Sequence, residues 1–251
     1  MKTIVVMSGK GGVGKSTVAA NLAYKLSNDG FTVGVFDSDF HGPTIPKMLG
    51  VRGKKMRPDK SQDRVKPVEA SPNLKVISMD FLLPDDDSAV IWRGPMKMKV
   101  INQMVEDVDW GDIDYLIIDL PPGTGDEPLS IAQQIPDVTG AVIVTTPQDV
   151  ALQAVKRSIN FAKKLNMEVL GVVENMSSFK CPHCGESIEL FGEGGGKRMS
   201  EDIGVPFLGS VPFTPEIVRS GEEGDPSSYL SSESSESFDK IVSKLKNKVG
   251  E

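Results

Sequence analysis

Between an apolar run, Lys2 to Met7, and a helix-period segment, Ser16 to Leu26, lies Gly9-Lys10-Gly11-Gly12-Val13-Gly14-Lys15-Ser16-Thr17. That order of strand, glycine-rich loop and helix constrains the fold more than any other feature of the chain. The spacing G-x-x-x-x-G-K-S lets backbone N–H groups converge on phosphate oxygens, and Lys15 adds a mobile positive charge. Glycines permit the convergence because no Cβ blocks the nucleotide. A helix starting at about Gly14 aims its partial positive charge at the same anion. In this scheme Lys15 reaches the β and γ phosphates, Ser16 ligates Mg²⁺ and Thr17 bonds the α phosphate. Lys10 has no task in it.

Strand-like runs recur near Thr32 to Phe36, Leu74 to Ser78, Tyr115 to Ile118, Ala141 to Thr145, Val169 to Val173 and Phe207 to Val211. Helix-period segments such as Ala151 to Leu165 separate many of them. Alternation of this kind predicts an α/β P-loop NTPase fold: a mainly parallel central sheet with helices on both faces and nucleotide at the carboxyl ends of the strands. At 251 residues, one domain over 1–251 is expected. Residues 52–67 and 176–196 read as long loops, the latter with a metal-binding segment at about 176–191. A serine-rich connection, Ser227 to Ser237, leads to a final amphipathic helix at Phe238 to Val249.

Three further strand ends bring polar groups to the expected nucleotide edge. Tyr115 to Asp119 is a buried strand ending in a carboxylate, which is how an aspartate reaches the Mg²⁺ side of bound phosphates. Pro121-Pro122-Gly123-Thr124-Gly125-Asp126 follows it and suits a switch that shifts on hydrolysis. Asp37 and Asp39 close a second strand, and they share one side if extended geometry persists. Asp37 as a turn or N-cap residue before Pro43 is the competing assignment. Asn175 ends a third strand, and its amide can both donate to and accept from a base edge, although Asn is also common in turns.

Lys plus Arg total 28 against 35 Asp plus Glu, a net charge of -7, which gives no electrostatic footprint for nonspecific nucleic-acid binding. Arg52, Lys54, Lys55, Arg57, Lys60, Arg64 and Lys66 form a local basic stretch that reads as a solvated loop. No secretory pattern precedes the phosphate loop and no run nears the ~18 apolar residues of a membrane span, so a cytoplasmic protein without membrane partners is expected. The chain has only two cysteines, which excludes a disulfide framework.

Those two form Cys181-Pro182-His183-Cys184-Gly185, a pair of thiols that can grip one soft metal centre. One chain supplies half of a four-thiolate site. Spacing leaves an iron-sulfur cluster and a bridging zinc equally open. Dithiol redox chemistry uses the same sequence, but with its first thiol at a helix N-terminus rather than late in a loop. His183, between the two, is expected to point away.

Lys10 to Thr17 resembles the deviant Walker A loop of the MinD, ParA, nitrogenase iron-protein and Mrp ATPases. That resemblance implies that Lys10 crosses a nucleotide-sandwich dimer to the partner's phosphates, that Asp39 positions the attacking water, and that Asp37 supports the metal shell. It also implies that Asn175 contacts the base and that Pro212 walls its pocket. Asp37 to Pro43, Trp92-Arg93-Gly94-Pro95-Met96, Ile118 to Asp126 and Glu174 to Gly185 make the chain similar to the Mrp family of iron-sulfur cluster carriers over nearly its whole length. The sequence opens at its first strand, so the extra N-terminal region of bacterial members is expected to be missing. Family membership implies a homodimer that holds a 4Fe-4S cluster on Cys181 and Cys184 of both subunits, binds ATP with Mg²⁺, hydrolyses it slowly and passes the cluster to apo-proteins. The readings set against it are a MinD- or ParA-like positioning switch, a zinc-bridged dimeric ATPase, and an electron-transfer protein.

Overall fold

The computed structural model describes residues 1–40, 42–59, 64–82, 94–181, 183–192 and 194–250. Lys60, Trp92, Arg93 and Pro182, named above, and His41 within the stretch Asp37 to Pro43 lie outside the described residues. β1 (Lys2–Met7) leads through the glycine loop into α1 (Lys15–Asn28), followed by β2 (Val33–Asp37) and the short α2 (Ile45–Met48). The hairpin β3 (Arg57–Asp59) and β4 (Arg64–Lys66) precedes β5 (Val68–Ser71) and β6 (Leu74–Ser78). Next come α3 (Gly94–Glu106), β7 (Tyr115–Asp119), α4 (Asp126–Ala132), β8 (Val138–Thr145) and α5 (Asp149–Lys164). β9 (Val169–Lys180) and β10 (Ser187–Ile188) flank the cysteines, and α6 (Gly195–Ile203), β11 (Phe207–Phe213), α7 (Pro215–Glu223) and α8 (Glu233–Lys248) complete the order.

Nine strands form one sheet in the order β10-β9-β8-β1-β7-β2-β6-β5, with β11 also paired to β9. Within this sheet, among the described residues, only β5 and β10 pair antiparallel; the other pairings are parallel, as the alternation of elements predicts. Successive side chains leave a strand on opposite faces, so each central strand feeds two cores. Ile4 and Val6 of β1 and Tyr115 and Ile117 of β7 enter one, while Val5, Met7, Leu116 and Ile118 enter the other. The first is closed by α1 and α8 through Val18, Leu22, Leu26, Phe238, Ile241 and Leu245, and the second by α3, α4 and α5 through Ile101, Ile131 and Ile159. Burial on both faces explains why these strands read as continuous apolar runs.

Three sequence expectations are corrected. The stretch 176–196 is not one loop: β9 continues to Lys180, returns through β10, and α6 begins at Gly195. The metal-binding segment expected at 176–191 therefore starts inside a strand. The stretch 52–67 holds the β3–β4 hairpin, whose strands are too short and polar to give a periodic signal. The serine-rich connection is itself structured. Pro226–Tyr229 makes a 3-10 turn, and α8 starts at Glu233, because the Ser232 side chain accepts the Ser235 N–H and caps a polar first turn.

Candidate functional site

Parity along the strands decides what the sheet edge presents. Asp119 shares the parity of Tyr115 and Ile117, and Asp37 that of Val33 and Val35, so both carboxylates leave the sheet on the α1 side. The β2–β7 register pairs Asp37 directly with Asp119, and neither is exposed at all. α1 brings them one cation. Lys15 Nζ lies 2.6 Å from Asp119 Oδ1, and the Ser16 hydroxyl donates to Asp119 Oδ2 at 2.6 Å.

Two buried acids beside one lysine cannot both ionise cheaply. Burial, reinforced by the charge of Asp119, pushes Asp37 up to about 8 against the pull of the Asp39 and Ile45 backbone N–H groups and of Lys15. Asp119 is also raised by burial, while the Lys15 charge and the hydrogen bonds from Lys15 and Ser16 pull it down and the Asp39 charge pushes it up. The Lys15 ion pair and the Ser16 hydrogen bond make Asp119 the better holder of negative charge within the pair. Excess carboxylate with an adjacent hydroxyl is donor chemistry for a hard divalent cation such as Mg²⁺. Among the described residues no three His, Cys, Asp or Glu side chains form a ready metal cage. Mg²⁺ needs fewer, since it retains waters and shares substrate phosphates.

Asp37 also performs the local task that the sequence left open. It accepts the Ile45 N–H at the start of α2 at 3.2 Å, the Asp39 N–H at 3.2 Å and the Ser78 hydroxyl at 3.3 Å. The Asp39 bond marks a turn just after β2, so the extended geometry ends at Asp37 and Asp39 emerges half-buried beside the pair.

Two glycines of the phosphate loop are demanded by protein rather than by nucleotide. A Cβ on Gly9 would sit 2.2 Å from the Ala154 carbonyl oxygen of α5. At Gly14, whose φ is +81°, it would sit 2.0 Å from Asn175 Nδ2. Asn175 reaches this close because its amide donates to the Val13 carbonyl at 2.9 Å. One of its N–H groups thus holds the phosphate loop itself, a task its strand-end position did not reveal. Gly11 faces Pro122 in the loop after β7, and the Gly123 N–H donates to the Ser8 carbonyl at 2.9 Å, tying the two loops together. Lys10 and Gly12 are exposed at the loop tip.

Beside α1 lies a cavity of about 280 Å³ lined by Thr17, Asn175, Met176, Pro212 and Phe213, and by the ion-paired Lys47 and Glu222. Asn175 and Pro212, distant in sequence, are brought together by the pairing of β9 with β11.

Cys181 follows the last residue of β9, at the turn into β10. Its N–H donates to the Glu186 carbonyl at 2.9 Å and its carbonyl accepts from Gly185 at 2.8 Å. Both thiols are free, Cys181 half-buried and Cys184 exposed. Backbone N–H groups of Cys184 and His183, with the Cys184 thiol, hold Cys181 below the ordinary thiol range. His183 is exposed, as is the apolar trio Ile188, Leu190 and Phe191 just beyond the pair.

Three residues of this region carry no sequence signal strong enough to single them out. Ser38 donates its hydroxyl to the Asp119 carbonyl at 2.7 Å, fastening β2 to β7 below the carboxylates. Ser78 does so to Asp37 from β6. Glu174, only 1 % exposed, accepts the Gly196 N–H at 2.6 Å and so fixes the start of α6. A carboxylate within the apolar run Val172-Val173-Glu174 was the one available hint.

A phosphate loop between the central strand and α1, with an aspartate delivered by the neighbouring strand, defines a P-loop NTPase. The family model for the ParA group, described as NUBPL iron-transfer P-loop NTPase, matches residues 1–249, and the chain belongs to that family. It is 55 % identical over 223 residues to the iron-sulfur cluster carrier protein of Saccharolobus solfataricus, covering 89 % of this chain and 75 % of that one. A cytosolic Fe-S cluster assembly factor of Saccharomyces cerevisiae is 48 % identical over 224 residues, 86 % of this chain and 75 % of its own. Among solved structures, a nucleotide-binding protein of Archaeoglobus fulgidus in complex with ADP superposes with a TM-score of 0.78 at 39 % identity, covering 89 % of this chain and 86 % of that one. The cell-division ATPase MinD of Pyrococcus furiosus shares the fold, with a TM-score of 0.70 at 23 % identity over 98 % of both chains.

Proposed function

We propose that the chain is an ATP-hydrolysing carrier whose two copies hold one 4Fe-4S cluster on their paired Cys181 and Cys184 thiolates and deliver it to apo-proteins in the cytoplasm. The observation that carries this reading is the position of the cysteine turn: it ends β9, the strand whose Asn175 clamps the phosphate loop. Two free thiols, Cys181 half-buried and Cys184 exposed, with backbone N–H groups favouring the Cys181 thiolate, follow directly on the strand that lines the cavity. Names of the relatives point the same way.

In this reading the loop N–H groups and Lys15 hold the phosphates, Ser16 and Asp119 hold Mg²⁺, and Asp37 supports that shell. Mg²⁺ held there by Ser16 and Asp119 would supply positive charge against the phosphates. Asp39, at the turn beside the carboxylates, orients the attacking water, and exposed Lys10 reaches the phosphates of the second copy. The base lies between Asn175 and Pro212. Cargo transfer is thiolate exchange: an acceptor thiol loses its proton as its sulfur bonds to iron, a bond from Cys181 or Cys184 to iron breaks, that proton passes to the released thiolate, and no oxidation state changes.

Anaerobically loaded protein should pass its cluster to an apo-ferredoxin acceptor at a rate that ATP alters, and Lys15→Ala should remove that alteration. Transfer indifferent to both ATP and the substitution would overturn the reading.

A further inference from the structure

Within β9, Met176 has φ +56°, a strained left-handed conformation rarely adopted by a side chain of this size. It sits at a break in the sheet. Val211 pairs with Asn175 and Phe213 with Phe179, so Met176, Ser177 and Ser178 oppose Pro212 alone. Before this bulge, Asn175 is tied to the Val13 carbonyl of the phosphate loop. After it, Phe179 packs on Phe213 with ring centroids 6.1 Å apart, and Cys181 follows Lys180. The Met176 side chain lines the cavity beside α1, and its methyl carbon lies 3.7 Å from where a Gly14 Cβ would be.

We propose that Met176 is a positioning residue that transmits occupancy of the base cavity to the cysteine turn. This rests on the assignment of that cavity to the nucleotide base. A bound base meets the thioether, and the thioether stands on the one backbone position between Asn175 and Cys181 that is held away from its relaxed conformation. Moving it changes how the bulge is set, while the hydrogen bonds on either side, Asn175 to Val13 and Cys181 to Glu186, keep the two ends intact. The result is a shift in the direction and exposure of the Cys181 thiol. Bulges re-aim side chains in this manner at functional sites.

The test is the alkylation rate of the cysteine pair in the full chain after chelation, with and without saturating ADP. ADP supplies the base without the γ phosphate, so switch closure and γ-phosphate-driven dimer closure do not enter. The wild-type rate should change about fivefold or more on ADP binding. With ADP brought to saturation for each variant, Met176→Gly, which relaxes the backbone and removes the thioether, should lose the change, while Met176→Leu should retain it. Should Met176→Gly not fold, Met176→Asn, which tolerates the left-handed region but lacks the thioether, should lose the change instead. A wild-type rate unmoved by bound ADP, or a full response in Met176→Gly or Met176→Asn, overturns the proposal. Failure of the chain to load a cluster overturns the carrier reading and leaves this measurement untouched.

Discussion

The phosphate loop and the cysteine turn both follow strands of the same sheet, yet they are held in opposite ways. The phosphate loop is clamped from several sides: Ala154 presses on Gly9, Asn175 holds Val13, Gly123 bonds to Ser8, and Lys15 and Ser16 converge on a fully buried Asp119. The cysteine turn is held by its own hairpin bonds, with exposed residues from His183 to Gly192 around it. A cradle for charge must be built in advance, because loose dipoles would have to reorganise at every turnover. A site that must release its cargo gains from few contacts and open access. The difference teaches where stability and the proposed cargo binding should part: the buried contacts lie in the phosphate loop, and the cysteine turn has few.

Substitutions should expose this contrast, the largest effects coming from the cradle. Lys15→Ala leaves Asp37 and Asp119 buried without their cation, so denaturant unfolding should show a loss of about 3–5 kcal/mol. ATP turnover should fall by about 100-fold or more in the same variant. Gly9→Ala drives a methyl into the Ala154 carbonyl and should cost about 1–3 kcal/mol by the same measurement. A normal unfolding curve for either would show that the loop is less constrained than its contacts suggest.

A smaller effect separates the two buried acids by pH. Asp37 is raised by folding, so the stability linked to its proton is fully present near pH 4 and is lost as pH rises through about 8. Asp37→Asn removes that loss. Its stability relative to wild type, without Mg²⁺ or nucleotide, should increase steadily from pH 5 to pH 8 in urea titrations. A constant difference across this range would mean that Asp37 is ionised throughout.

The smallest effect on stability is expected at the cysteine turn. Cys181→Ser and Cys184→Ser should each lie within about 0.5 kcal/mol of wild type, since neither thiol packs in a core. Both should nevertheless lose reconstituted iron, which atomic absorption measures directly. A marked loss of stability in either would erase the distinction between cradle and turn.

Much of the cradle was legible in the sequence because its chemistry is local: Gly9 to Thr17 form one continuous motif, and Asp37 and Asp119 each end an apolar run. The parallel sheet was legible for a related reason, since double burial leaves unbroken apolar strands. What the sequence concealed depends on register between distant strands. Nothing near Ser38 foretells its bond to the Asp119 carbonyl, and nothing near Asn175 foretells the clamp on Val13. β9 was cut short for another reason: beyond Asn175 it turns polar, and a left-handed Met176 breaks its alternation. The start of α8 was missed because serine and glutamate fill a capped first turn that has no apolar periodicity until Phe238.

Sharing of the cargo between two chains is tested most directly by native mass spectrometry of anaerobically loaded, ATP-bound protein. The account predicts a dimer carrying four iron and four sulfide, which falls apart into cluster-free monomers when Cys181 and Cys184 are replaced by serine. A cluster carried intact by a single chain would contradict it.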